Sequence, residues 1–289
     1  MIEMLKKIHV CISEFWRFFN CSRIWGFFLV IYFFTYIYLK PVKDCSKLIQ
    51  YPVAPWVSAF LFSDLYYGLL FLLGAVYIFS KVPFCERWQM YLLIRCGKER
   101  WILIQVIKII LCAFCYVLLT VLVNIIVLGK DIEYTNNWGK FLYTLALTNV
   151  AEAEQLRFGI SYDLMVSFKP IPLLIITVVI AALIVSFIGV LMFYISLYFS
   201  RFIAVIIATI LAIFPIIIEN AGRNLQKIMV EIIPTEWIKI EKLGNYNFER
   251  VLSPNFETVI IRLLLMIGVL VVLIMGGVKK IQFNWYGEE

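Results

Sequence analysis

Between Lys169 and Glu219 the chain carries one charged residue, Arg201, in a run of about fifty. A helix needs roughly 20 apolar residues to cross a ~30 Å hydrocarbon core, so this run holds two membrane spans with Arg201 at the turn between them. The whole chain agrees: of its 289 residues 63% are hydrophobic and only 16% charged, against roughly 25% charged in a soluble domain. A soluble globular domain is thereby excluded, and so is a disordered chain, which needs low hydrophobicity and high charge. In such a chain the net charge of +7 serves topology and lipid headgroups, and gives no reason to invoke nucleic acid.

The apolar runs predict an all-α membrane protein, a single transmembrane domain over residues 1–289 with six transmembrane helices near 24–39, 56–80, 101–128, 173–199, 202–218 and 258–278. Orientation follows from the bases. With the N-terminus inside, the short inner segments hold Lys81, Arg87, Arg95, Lys98, Arg100 and Arg201, and the termini add Lys6, Lys7, Arg17, Arg23, Lys279 and Lys280. The opposite loops spread their bases over longer stretches and balance them with more acids, and bases in short loops set orientation. The expectation is N-in, C-in, in the plasma membrane, with a bacterial cytoplasmic membrane as the natural setting. Cys45 is then the one outward cysteine, and the Cys112-x-x-Cys115 pair, inside an apolar helix with no nearby His, reads as packing.

Three stretches outside the spans carry pattern. Residues 1–23 repeat Leu5, Ile8, Ile12, Phe15, Trp16 and Phe19 at helical spacing, as expected of an amphipathic interfacial helix; the alternative is a plain extension of the first span. Residues 83–100 open with Pro83, can place Trp88, Leu92 and Leu93 on one face and reach Gly97 before Lys98, Glu99 and Arg100. They predict a short cytoplasmic helix suited to docking on another protein, or else a basic loop that fixes topology. The loops at 129–170 and 219–257 are long enough to contain structure, and short outer helices are expected between spans five and six.

Most active-site chemistry is missing. The lone histidine, His9, removes Ser-His-Asp and HExxH designs, and no GxxxxGK[ST] loop is present to cradle a nucleotide phosphate. Glu152 and Glu154 diverge in a polar loop. No catalytic residue or metal site is expected, and the chain is not read as an enzyme. Intramembrane charges are costly and point to function by default. Asp64 and Arg262 enter their spans from the same side and can pair, either as a static clamp or as a substrate sensor; Lys108 can snorkel to the inner interface. Ala204, Ala208 and Ala212 form a small-residue stripe for helix packing, and Pro215 should kink the fifth span near its outer end.

This organisation resembles the permease subunits of type-2 ABC exporters. The likeness lies in the amphipathic helix before span one, the charged cytoplasmic helix between spans two and three, the tight inner hairpin between spans four and five, and the insertion between spans five and six. Within the cytoplasmic segment, Glu86, Arg95, Gly97, Arg100, Trp101 and Lys108 look like that family's loose pattern of an acid, Arg-x-Gly, Arg, and a Lys opening span three. The long loop after span three departs from the family's compact form. The resemblance implies a half-transporter moving an amphipathic or lipid-like substrate such as a peptide, antibiotic, lipid or polymer. It further implies a second permease chain, identical or related, and a separate ABC ATPase subunit that binds ATP and Mg and docks through Glu86, Arg87, Trp88, Arg95, Gly97 and Arg100; this chain itself would hold no cofactor. Two other classes remain open: a non-transporting membrane sensor or immunity scaffold, and an ion-coupled secondary transporter, for which Asp64 is the one candidate coupling carboxylate.

Overall fold

The computed structural model describes residues 22–82, 87–129, 132–148, 156–244 and 254–278. Among them every regular element is helical, and the one β feature is an isolated bridge between Val53 and Ile132. In chain order they are α1 (Ser22–Ile49), a 3-10 turn (Pro55–Val57) running into α2 (Ser58–Ser63), α3 (Leu65–Phe79), α4 (Arg87–Cys96) and α5 (Lys98–Leu128). Then come α6 (Gly139–Leu147), α7 (Tyr162–Ser167), α8 (Pro170–Tyr198), α9 (Arg201–Glu219), α10 (Arg223–Ile232), 3-10 turns at Pro234–Ile238 and Ile240–Lys242, and α11 (Phe256–Gly277). By length and composition α1, α5, α8, α9 and α11 can each cross a membrane, and α2 with α3 adds a sixth crossing if that bent pair counts as one span. The chain is a multi-pass membrane protein. The amphipathic segment expected over 1–23 lies outside the described residues up to residue 21.

The bundle is built around α8. Its run from Ile180 to Val190 is buried at every position, because it packs against α5, α11, α9 and α3 at once; a helix apolar all round is stable only when wrapped in this way. Close approach depends on glycine at two crossings. A Cβ on Gly189 would meet Ile109 Cγ2 at 2.5 Å and the Phe79 ring at 3.2 Å, and one on Gly74 would overlap the Phe27 ring and come 2.6 Å from Tyr116 Oη. Ala204, Ala208 and Ala212 form the buried face of α9, which packs on α8 and α3, while Phe202, Ile206, Ile210, Ile213 and Ile217 look away from the protein.

Two spans differ from the sequence expectation. The first does not stop near Leu39: α1 runs through Lys40 and Pro41 to Ile49, and the Lys43 ammonium donates to the Val127 carbonyl at 3.0 Å. That contact answers one of the orphan carbonyls at the end of α5 and suits its dipole. The second span is not a continuous helix over 56–80. It breaks at Asp64, where α2 and α3 meet at 87°.

The break defines two ends of the molecule. With 15 residues, α3 is about 22 Å long, too short to cross a membrane alone. At its far end lies α4. At its Asp64 end, α2 is laid across the bundle and covered by other segments: Trp138 packs on Phe60 with ring centroids 5.4 Å apart, the Trp56 indole donates to the Thr135 carbonyl at 2.8 Å, and the Trp138 indole to the Phe168 carbonyl at 2.8 Å. The turn Ile240–Lys242 packs on α2 as well. The described parts of the two long loops thus form a packed cap with a hydrophobic interior.

Candidate functional site

Asp64 organises the cap end. In the sequence Phe62-Ser63-Asp64-Leu65 it takes the N-cap position of α3, with extended φ and ψ of −65° and 139°. Its Oδ1 accepts from the Tyr67 backbone N–H at 2.8 Å and from the Tyr38 hydroxyl at 2.8 Å. An N-cap carboxylate satisfies one of the orphan donors of the first turn, so the charge is held by a helix end and a phenol. One turn below, the Tyr67 hydroxyl and the Thr35 hydroxyl both donate to Asn124 Oδ1, at 2.8 and 3.3 Å, tying α1, α3 and α5 through a buried polar contact. Arg157 stands with its guanidinium carbon 6.0 Å from the Tyr38 ring centroid.

The pairing expected between Asp64 and Arg262 is not formed. Arg262, in the second turn of α11, points instead to α10: Nη2 lies 3.2 Å from the Glu231 carboxylate and Nη1 donates to the Glu231 carbonyl at 3.0 Å. Sequence could not supply this partner, because helical spacing over 225–233 does not say against which span that short helix folds back. Lys108 also differs from expectation. It is 5% exposed, on the buried side of α5 with Gln105 and Cys112.

The segment after α9 contributes the densest charge cluster. Pro215 has no N–H, so the carbonyl of Leu211, four residues back, lacks its helical donor. The Thr235 hydroxyl supplies one, at 2.9 Å. This contact seats the turn Pro234–Ile238 beside α9, two helical turns below Glu219. Next to it Glu236 and Lys239 are 0% and 4% exposed, with Lys239 Nζ 3.1 Å from Glu219 and 3.4 Å from Glu236, and Lys242 Nζ 2.7 Å from Glu236. Burial lowers the Lys239 pKa below its ordinary value, and the carboxylates of Glu236 and Glu219 oppose that shift. Glu241 is pushed up to about 7, first by burial and then by the nearby Asp64 charge, with Lys242 opposing. The cap therefore closes over Asp64 with a half-buried carboxyl whose protonation changes near neutral pH.

The opposite end is open. In α4, Gln89 is fully buried and accepts from Gln105 Nε2 at 3.2 Å, anchoring the short helix to α5. Gly97, at φ 81°, makes the elbow between them in a conformation that glycine adopts without strain. Facing away are Tyr91 at 77% and Ile94 at 71% exposure, beside the exposed Arg95, Lys98 and Arg100. Glu86 lies outside the described residues, as do the side chains of Arg87 and Trp88. Sequence reasoning chose Trp88 as the apolar anchor and passed over Tyr91 and Ile94, although their i, i+3 spacing was readable.

Compared with known protein families, with curated proteins and with solved structures, the chain matches none. Among the described residues no three His, Cys, Asp or Glu side chains are placed to hold a metal ion. The arrangement can therefore be read by its geometry alone: a sealed, charge-rich cap around a broken helix at one end, and an exposed amphipathic helix on a glycine elbow at the other.

Proposed function

We propose that the chain is the membrane-spanning permease subunit of an ATP-driven exporter of the type-2 ABC class, in the plasma membrane with α4 on the cytoplasmic side. The observation that carries this reading is α4: a short helix anchored by Gln89 and turned on Gly97, offering exposed Tyr91 and Ile94 ahead of the exposed bases Arg95, Lys98 and Arg100. An apolar pair framed by charge gives a partner both an anchor and a register. With no phosphate loop in the chain, nucleotide hydrolysis falls to a separate ATPase subunit, and α4 transmits its movement through the Gln89–Gln105 contact into α5. A second permease chain completes the pathway, and the aliphatic and aromatic character of the spans suits an amphipathic or lipid-like substrate. The test is capture of an ABC ATPase expressed together with the chain. Wild type should retain it, and the Tyr91→Ala, Ile94→Ala double variant should lose it while extracting from the membrane as well as wild type. Equal capture by both would remove the reading.

The break at Asp64 favours one alternative, an ion-coupled transporter, because such transporters build their ion sites at discontinuous helices and Asp64 puts a carboxylate at this one. Proteoliposomes separate the two. Substrate movement driven by a proton or sodium gradient with no ATPase present would promote the alternative.

A further inference from the structure

The helix after α9 turns back on it. Along α10 the contacts move steadily down α9: Gln226 Nε2 donates to the Glu219 carbonyl at 3.0 Å, Val230 and Ile233 pack with Ile218 and Phe214, and Thr235 reaches Leu211. From Glu219 to Leu211 is eight residues, or about 12 Å along a helix axis. So α10 runs antiparallel to a membrane-spanning helix, into the depth that helix occupies.

Its surface divides into three arcs. One is buried on α9 through Val230, another carries Lys227 and Glu231, and Glu231 is held by Arg262 of α11. The third arc is Leu225, Ile228 and Ile232, at spacings of three and four residues, exposed by 55%, 57% and 61%. The helix they belong to lies along α9, whose own outward side exposes Ile210, Ile213 and Ile217, so the arc is set at the depth of an apolar span face. A helix with large aliphatics on one outer arc and charges on the next suits a membrane boundary.

We propose that the outward arc of α10, Leu225, Ile228 and Ile232, is a lipid-contacting surface set in the acyl layer at the cap end. The occupant is lipid because the contacts from Glu219 to Leu211 set α10 alongside a membrane-spanning helix and because Glu231 beside the arc is paired with Arg262. In this arrangement α10 wedges between lipid and α9, and lipid packing bears directly on the turn that covers Asp64. The inference needs only a membrane protein and stands whether or not an ATPase is the partner.

The test places the photo-crosslinker p-benzoylphenylalanine singly at Leu225, Ile228, Ile232 and Lys227, with Leu265 as a span control, in the full chain reconstituted into phosphatidylcholine/phosphatidylglycerol vesicles. Lipid adducts read by mass spectrometry should form at the three apolar positions in yields comparable to Leu265, and at least about tenfold above Lys227. Because these side chains point outward, the bulky probe is tolerated, and the three positions report independently. A crosslinked dimer in place of lipid adducts would assign the arc to a second copy of the chain. No adduct at any of the three, with Leu265 labelled, would place the arc in water; either result overturns the proposal.

Discussion

The two ends of this molecule handle polar groups in opposite ways. At the cap end Asp64, Glu236, Lys239 and Lys242 meet hydrogen-bond or ion-pair partners in a packed shell, with the more exposed Glu219 at its edge. At the α4 end Arg95, Lys98 and Arg100 stand exposed beside two outward apolar side chains. A buried ion pair costs desolvation and is costly to break, whereas an exposed base contributes little to the fold. The difference separates a part built to stay shut from a part built to be met by something else.

Substitutions can break that contrast. The largest effect is expected from Glu236→Ala, which leaves Lys239 and Lys242 facing each other in the cap without their shared carboxylate. Removing one partner of a buried pair costs about 3–5 kcal/mol, and a large drop in thermal unfolding midpoint in detergent should report it. Arg95→Ala at the other end should leave that midpoint unchanged within about 0.5 kcal/mol while weakening ATPase capture. Equal sensitivity of the two ends would dissolve the comparison.

Thr235→Val comes next. It strands the Leu211 carbonyl, at a cost of about 1–3 kcal/mol for an unsatisfied buried acceptor. In a Pro215→Ala background the backbone N–H returns to that carbonyl, so the same change should cost clearly less, a non-additivity that a double-mutant cycle reads directly.

A smaller, pH-dependent effect is expected from Glu241. Its pKa is raised from 4.5 to about 7 in the folded cap, so the folded state holds the proton more tightly than the unfolded chain does. This contribution is fully present below about pH 4.5, declines as pH rises through 7 and is constant above that. Glu241→Gln should remove that part of the pH slope of cap stability, measured by unfolding across pH 4 to 9. A slope unchanged in the variant would show that another group titrates there.

The smallest expected effect is a coupling of nothing. Asp64→Asn and Arg262→Gln should be additive, because their partners are Tyr38 and the Tyr67 amide on one side and Glu231 on the other. Arg262→Gln should instead couple to Glu231→Gln.

The spans were legible because a membrane forces about 20 apolar residues into each crossing, and the alanine stripe of α9 was legible because small residues at a spacing of four mark one helix face. The break at Asp64 was missed although a signal was present: Ser63-Asp64 before an apolar run is an N-cap pattern, and hydropathy averaged across it. The burial of Cys45 was beyond reach, since no apolar pattern carries α1 past Lys40. A sidedness test by thiol labelling is better served by Tyr134→Cys, which is exposed at the cap end, than by Cys45. The partners of Arg262 and the Leu211 carbonyl were set by how α10 and the turn after it fold back on the spans, which no local periodicity encodes.

The cap also imposes an order of assembly. The residues that hold α2 flat come from separate stretches of chain, Trp138, α8 and Ile240–Lys242 among them, and the last is synthesised after α9. Until it arrives, the segment from Ser58 to Phe79 lacks part of the cover over its first turns. The right-angle bend is therefore a late event in biogenesis, completed only when the fifth long apolar stretch has left the ribosome and the following turn has folded back onto it.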